Sequence, residues 1–97
     1  MKNDQPESNN EYLYKAILAL ETMEECQSFF ETLCTMQELR SFSQRITVAK
    51  MLHDDCVYSQ IVHDTGASTA TISRVNRSMR GGFNGYEKIF ERMRGDT

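Results

Sequence analysis

The stretch YSQIVHDTGASTATISRVNRSM, residues 58–79, contains apolar residues at helical spacing on both sides of a single glycine. A short helix, a turn that contains glycine and a longer helix form the helix-turn-helix layout. Gly66 suits the turn because glycine readily takes the left-handed conformation that ends helices. The sequence therefore predicts a helix-turn-helix at about residues 58–80. The positions expected to be buried between its helices are Ile61, Ala67, Ile72 and Val75.

The outer face of the second predicted helix is small and polar at its start and basic farther on. Ser68 is the expected N-cap, and the small residues after it would let the first turn enter the major groove of DNA. Arginines follow one helical turn apart, where they can pair with phosphates or with guanine. No Asp or Glu occurs between residues 65 and 85, which favours a polyanionic partner because carboxylates repel phosphates. The candidate DNA-binding residues are Ser68, Thr69, Ala70, Thr71, Ser73, Arg74, Arg77 and Arg80.

The rest of the chain also has helical periodicity. An apolar stripe at residues 13–20 predicts a first helix, with Asn9 or Asn10 as its cap. Threonine–glutamate capping boxes at residues 22–25 and 35–38 predict the starts of a second and a third helix. The third should cover about residues 36–53, with apolar residues on two sides that include Leu39, Phe42, Ile46 and Ala49.

The end of the chain completes the predicted fold. Gly81 and Gly82 should stop the fifth helix, and Asn84 should cap a last helix that begins near Tyr86. The sequence therefore predicts an all-α fold of six short helices. We expect a flexible tail at residues 1–8 and a single helical domain at residues 9–97.

Composition limits the class of protein. A chain of 97 residues with 39% apolar residues forms one small domain with a thin core, which a partner subunit would help to cover. No apolar run approaches the ~20 residues of a membrane span. The first residues lack the order of a secretion signal, and three cysteines suit a reducing compartment, so we expect a cytoplasmic protein.

The charges are distributed unevenly along the chain. The net charge is −3, but residues 1–67 hold 5 Lys and Arg against 11 Asp and Glu, whereas residues 68–97 hold 6 against 3. This asymmetry is typical of a protein whose C-terminal part faces nucleic acid. One alternative is that the charges are simply solvated helix faces. The alternative function is a helical protein–protein interaction module whose helix-turn-helix packs against another protein, with the acidic front half as its contact surface.

Other kinds of site find little support. His53, Cys56 and His63, with Cys26 or Cys34, lack the paired short spacing of a structural zinc site. The sequence has no nucleophile elbow and no glycine-rich phosphate loop. We therefore expect no catalytic residues, no metal site and no cofactor.

Two segments resemble a known family. TGASTATISRVNRSM, residues 65–79, resembles the turn and recognition helix of the Trp repressor superfamily, and LCTMQELRSFSQRITVAKML, residues 33–52, resembles the long helix before it. The similarity covers about residues 11–93 and is closest to the subgroup called YerC/YecD. It implies a six-helix fold in which two chains intertwine into a homodimer. It also implies a sequence-specific transcriptional regulator, a repressor, that presents two reading helices to operator DNA.

The same resemblance bears on a small-molecule effector. Arg74 and Ser78 match an arginine and a serine near the ligand of the tryptophan-binding member, whereas Gln44 stands where that member has a second arginine. Val75 stands where a glycine leaves room for the indole ring. We therefore do not expect tryptophan to bind, and another effector at Gln44, Arg74 and Ser78 remains an alternative.

Overall fold

The computed structural model describes residues 6–80 and 84–95, with side chains from residue 10 onward. This part of the chain contains six α-helices and no strand, which confirms the predicted all-α class. None of its helices is long and apolar enough to cross a membrane. The helices are α1 (Pro6–Leu18), α2 (Met23–Leu33), α3 (Met36–His53), α4 (Tyr58–Thr65), α5 (Thr69–Arg80) and α6 (Tyr86–Gly95).

The helix bounds follow the sequence except at α1. This helix begins at Pro6 instead of at the predicted caps Asn9 or Asn10. Proline favours the first helical position because its ring fixes φ and its missing N–H would have no helical partner. Residues 6–8, which the sequence predicts to be part of a flexible tail, belong to α1, and residues 1–5 lie outside the described residues. The proposed stop at residues 81 and 82 also lies outside them.

Side-chain caps fix the starts of α2 and α3. The Thr22 hydroxyl accepts a hydrogen bond from the Glu25 amide at 3.0 Å. The Glu25 carboxylate accepts from the amide of Glu21, one residue before the cap, at 2.8 Å. At α3 the box is fully reciprocal, because the Glu38 amide donates to the Thr35 hydroxyl at 3.0 Å and the Thr35 amide donates to the Glu38 carboxylate at 2.9 Å.

The chain divides into two compact units, residues 1–39 and residues 40–97. The first unit contains α1 and α2, and none of its described side chains is buried. Three of its large apolar side chains, those of Tyr12, Leu18 and Met23, are 79–83% exposed. This unit therefore has no hydrophobic core within its own described residues.

The second unit holds the core. Buried side chains come from the last turns of α3, from α4, from the turn after it, from α5 and from α6. The four positions predicted to be buried in the helix-turn-helix are confirmed, with exposed fractions of 0–3%. Phe42 and Ile46, predicted on an apolar face of α3, are 44% and 43% exposed. The core residues are Val48, Ala49, Ile61, Ala67, Ile72, Val75 and Phe90.

Gly66 ends α4 in the left-handed conformation, with φ of 73°, and its amide donates to the carbonyl oxygen of Val62 at 2.9 Å. A Cβ atom at Gly66 would meet nothing within 4 Å, so a larger residue would be opposed by backbone conformation alone. We expect Gly66→Ala to lower the free energy of unfolding by about 1 kcal/mol, measured by urea unfolding.

Two variants serve as controls for this prediction. Gly66→Asn should cost less, because asparagine adopts the left-handed region more readily than alanine. Gly85→Ala should also cost less, because Gly85 has open space around it and no positive φ. Equal losses in all three variants would contradict the conformational explanation.

Candidate nucleic-acid interface

The turn before α5 orients the first residues of that helix. Ser68 is the N-cap, as predicted, and its hydroxyl accepts a hydrogen bond from the Thr71 amide at 3.1 Å. Ile72 and Val75 anchor the inner face of α5 in the core with exposed fractions of 0% and 3%. Because the inner face is fixed by burial, the opposite face of α5 is directed toward solvent.

The predicted DNA-binding residues lie at the start of α5 and on its outer side. Thr71 and Ser73 are half-buried at the flanks of the helix. The other side chains combine hydroxyl and methyl groups in the first turn with guanidinium groups in the later turns. These exposed residues are Ser68, Thr69, Ala70, Arg74, Arg77 and Arg80.

The arginines of α5 differ electrostatically from the lysines in α1 and α3. The ammonium groups of Lys15 and Lys50 form ion pairs with Glu11 at 3.5 Å and Asp54 at 2.6 Å. In the described parts of the chain, none of the three arginines of α5 forms an ion pair. The guanidinium groups of Arg74, Arg77 and Arg80 therefore give this face a positive charge that no ion pair compensates.

The acidic residue that precedes the turn is Asp64, near the end of α4. The carboxylate of Asp64 is 3.0 Å from His63 Nδ1 and accepts a hydrogen bond from the Gln60 amide at 2.9 Å. These hydrogen bonds, that of His63 first, hold the pKa of Asp64 below its ordinary value. Asp64 is therefore ionised at neutral pH, and its carboxylate already has hydrogen-bond partners on its own helix.

The three possible effector-binding residues are Gln44, Arg74 and Ser78. Within the described residues, no hydrogen bond joins any of them to another. The Gln44 amide donates to the backbone carbonyl of Thr65, at the end of α4, at 3.2 Å. The Ser78 hydroxyl donates to the carbonyl of Val75 at 2.7 Å. The guanidinium group of Arg74 is on the exposed side of α5. The Ser78 hydroxyl donor and one hydrogen bond from the Gln44 amide are thus already used inside the chain.

One contact within the helix-turn-helix was missed by sequence reasoning. The side-chain amide of Asn76, on α5, donates to the hydroxyl of Tyr58, the first residue of α4, at 3.2 Å. The only sequence signal is that Asn76 is the sole residue of α5 with a side-chain amide. Among the residues that the structure describes, no three His, Cys, Asp or Glu side chains form a group suited to a metal ion.

Comparison with known proteins places this geometry in a family. The model of the Trp repressor protein family matches residues 8–94. The chain is 46% identical over 82 residues to the uncharacterized protein YerC of Bacillus subtilis strain 168, which covers 84% of this chain and 79% of YerC.

Two solved structures are also similar. A TrpR-like protein from Eubacterium eligens has 53% identity and a TM-score of 0.82 over 86% of each chain. A Trp repressor candidate from Staphylococcus aureus has 48% identity and a TM-score of 0.85 over 90% of this chain and 87% of its own. These matches confirm the resemblance found in the sequence: the chain belongs to the Trp repressor family, in its YerC-type branch.

Proposed function

We propose that this protein is a sequence-specific DNA-binding transcriptional repressor that acts as a homodimer and places α5 in the major groove. The observation that carries the proposal is the outer face of α5, which is exposed, free of acidic residues and lined by arginines without ion pairs in the described chain. Membership of the Trp repressor family supports the same function.

The order of side chains along α5 suits a division of roles. The hydroxyl and methyl groups of Ser68, Thr69 and Ala70 lie where the N-terminal end of a reading helix meets base edges. Arg77 is farther along the exposed side and suits guanine or phosphate, and Arg74 suits phosphate. Further contacts with DNA would come from Thr71 and Ser73 at the flanks of α5. Arg80 would add a contact at the end of the helix.

The homodimer is supported by the apolar surface of the first unit. Its described residues bury no side chain, yet the unit exposes Tyr12, Leu18 and Met23 almost completely. A unit that exposes large apolar side chains and buries none would gain a core by packing against another chain. A two-fold dimer would present its reading helices to half-sites about 34 Å apart.

Selection from random DNA tests both parts of the proposal. The expected result is a palindromic consensus, because two identical reading helices contact two half-sites. Binding to this consensus should weaken with salt, with log K falling by about 0.9 for each phosphate contact per decade of salt. No enriched sequence, together with salt-insensitive binding to a protein partner, would favour the interaction module instead.

We expect tryptophan not to bind. Val75 is 3% exposed, so its branched side chain is packed in the core at the position where the tryptophan-binding relative has glycine. Gln44 brings an uncharged amide where that relative has a cation for the carboxylate. Titration calorimetry with tryptophan should show no saturable heat, with titration of the selected DNA as the positive control. A saturable signal would overturn this prediction.

A further inference from the structure

Two hydrogen bonds in the helix-turn-helix region join residues that are 21 and 18 positions apart in the sequence. From α3, Gln44 donates to the backbone carbonyl of Thr65 at 3.2 Å, in a partly buried position. Between α4 and α5, Asn76 donates to the Tyr58 hydroxyl at 3.2 Å. The first bond ties the end of α4 to the long helix, and the second ties the start of α4 to the middle of α5.

The turn between these two bonds is also closed by its own polar groups. The Thr65 hydroxyl donates to the Ile61 carbonyl at 2.7 Å and accepts from the Ala67 amide at 3.1 Å. The last carbonyl groups of a helix have no partner within the helix, so the Gln44 amide satisfies one that would otherwise need water or a ligand. All three bonds come from the chain itself.

We propose that Gln44 and Tyr58 are positioning residues that hold α4 and α5 in their DNA-binding geometry without a small-molecule ligand. This inference rests on the function proposed above and specifies its regulation. A ligand shifts a conformational equilibrium only by binding one state better than the other. If the chain already holds α5 in the competent state, the competent fraction is close to one and a ligand adds little affinity.

Hydrogen exchange of the DNA-free protein tests the positioning role directly. In the wild type, the amides in the middle of α5 should be protected although no ligand is present. The double variant Gln44→Met/Tyr58→Phe removes both bonds and keeps the size of each side chain. At a net ~0.5–1.5 kcal/mol per hydrogen bond, protection of α5 should fall by roughly 5- to 150-fold, with little change in α6.

Matched controls separate positioning from general stability. Thr47→Val removes a hydroxyl whose hydrogen bond, to the Ser43 carbonyl at 2.9 Å, stays within α3. Tyr86→Phe removes a hydroxyl from a ring stacked on Phe90 in α6. Neither control should lower the protection of α5 selectively. Unchanged protection of α5 in the double variant, or an equal fall in α5 and α6, would overturn the positioning role.

A second experiment asks whether the protein binds DNA without a ligand, and it uses protein from which small molecules have been removed. The chain is unfolded in guanidinium, dialysed and refolded, and its Kd for the selected DNA is compared with that of the untreated protein. We expect agreement within about twofold. Loss of binding that returns when the released small-molecule fraction is added back would overturn the inference. Absence of DNA binding in both preparations would instead contradict the proposed function, and the exchange result would still decide the role of Gln44 and Tyr58.

Discussion

Ile72→Ala is expected to lower the free energy of unfolding by about 2–5 kcal/mol. Ile72 is completely buried, and it is one of only seven buried side chains in the described residues. Removing most of its side chain loses transfer free energy and leaves a cavity, because a core supplied by four helices cannot fully collapse around the gap. Since small proteins are stable by only about 5–15 kcal/mol, this loss would be a large share of the total stability.

Urea unfolding at a fixed protein concentration measures the effect, since association changes apparent stability. The urea midpoint should fall, and the m-value should stay the same. An unchanged m-value would indicate that the variant exposes the same surface on unfolding as the wild type. Ile72→Val is the matched control and should cost only about 0.5–1.5 kcal/mol, because it removes one methyl group. A loss below about 1 kcal/mol in the alanine variant would mean that α5 is not packed as described.

The helix-turn-helix core was predictable because its pattern is local. One glycine fixes the turn, and helical spacing on each side then determines which residues face inward, as Ile61 and Ile72 do. The caps at Thr35 and Ser68 were predictable for the same reason, since a capping side chain bonds amides only a few residues away.

The partners of each apolar face were not predictable in the same way. Periodicity places Phe42 and Ile46 on one side of α3, but it does not say whether that side is covered by the same chain, and both residues are more than 40% exposed. The Gln44 and Asn76 hydrogen bonds join residues 21 and 18 positions apart. Such contacts depend on how the helices cross, which spacing within one helix does not determine.

The candidate DNA-binding surface falls between these two cases. Burial of Ile72 and Val75 makes the opposite side of α5 solvent-facing, so the exposure of its arginines was within reach of sequence reasoning. The half-burial of Thr71 and Ser73 was not, because it depends on the neighbouring elements at the flanks of α5. The part of the surface that contacts DNA stays a prediction, and charge reversal tests it most strongly.

Arg77→Glu is expected to reduce affinity for the selected DNA by roughly 30- to 10⁴-fold. An arginine that contacts a base or a phosphate contributes about 1–3 kcal/mol, and the proposed dimer would lose the contact twice. The glutamate adds repulsion from the phosphates, so the loss should lie toward the upper end of this range. Arg77 is exposed, and its side chain is not in the core, so the variant should keep its unfolding midpoint. Fluorescence anisotropy with labelled DNA measures the affinity.

Arg92→Glu is the matched control, because it makes the same change in net charge at an exposed position of α6. If α5 alone enters the groove, this control should change affinity only severalfold through the general electrostatic field of the protein. Equal losses in the two variants would show that net charge, and not the position of Arg77, controls binding, and would contradict the placement of α5. Arg77→Ala then identifies the contact, because loss of a base contact relaxes preference at one symmetric pair of positions, whereas loss of a phosphate contact weakens binding to all sequences alike.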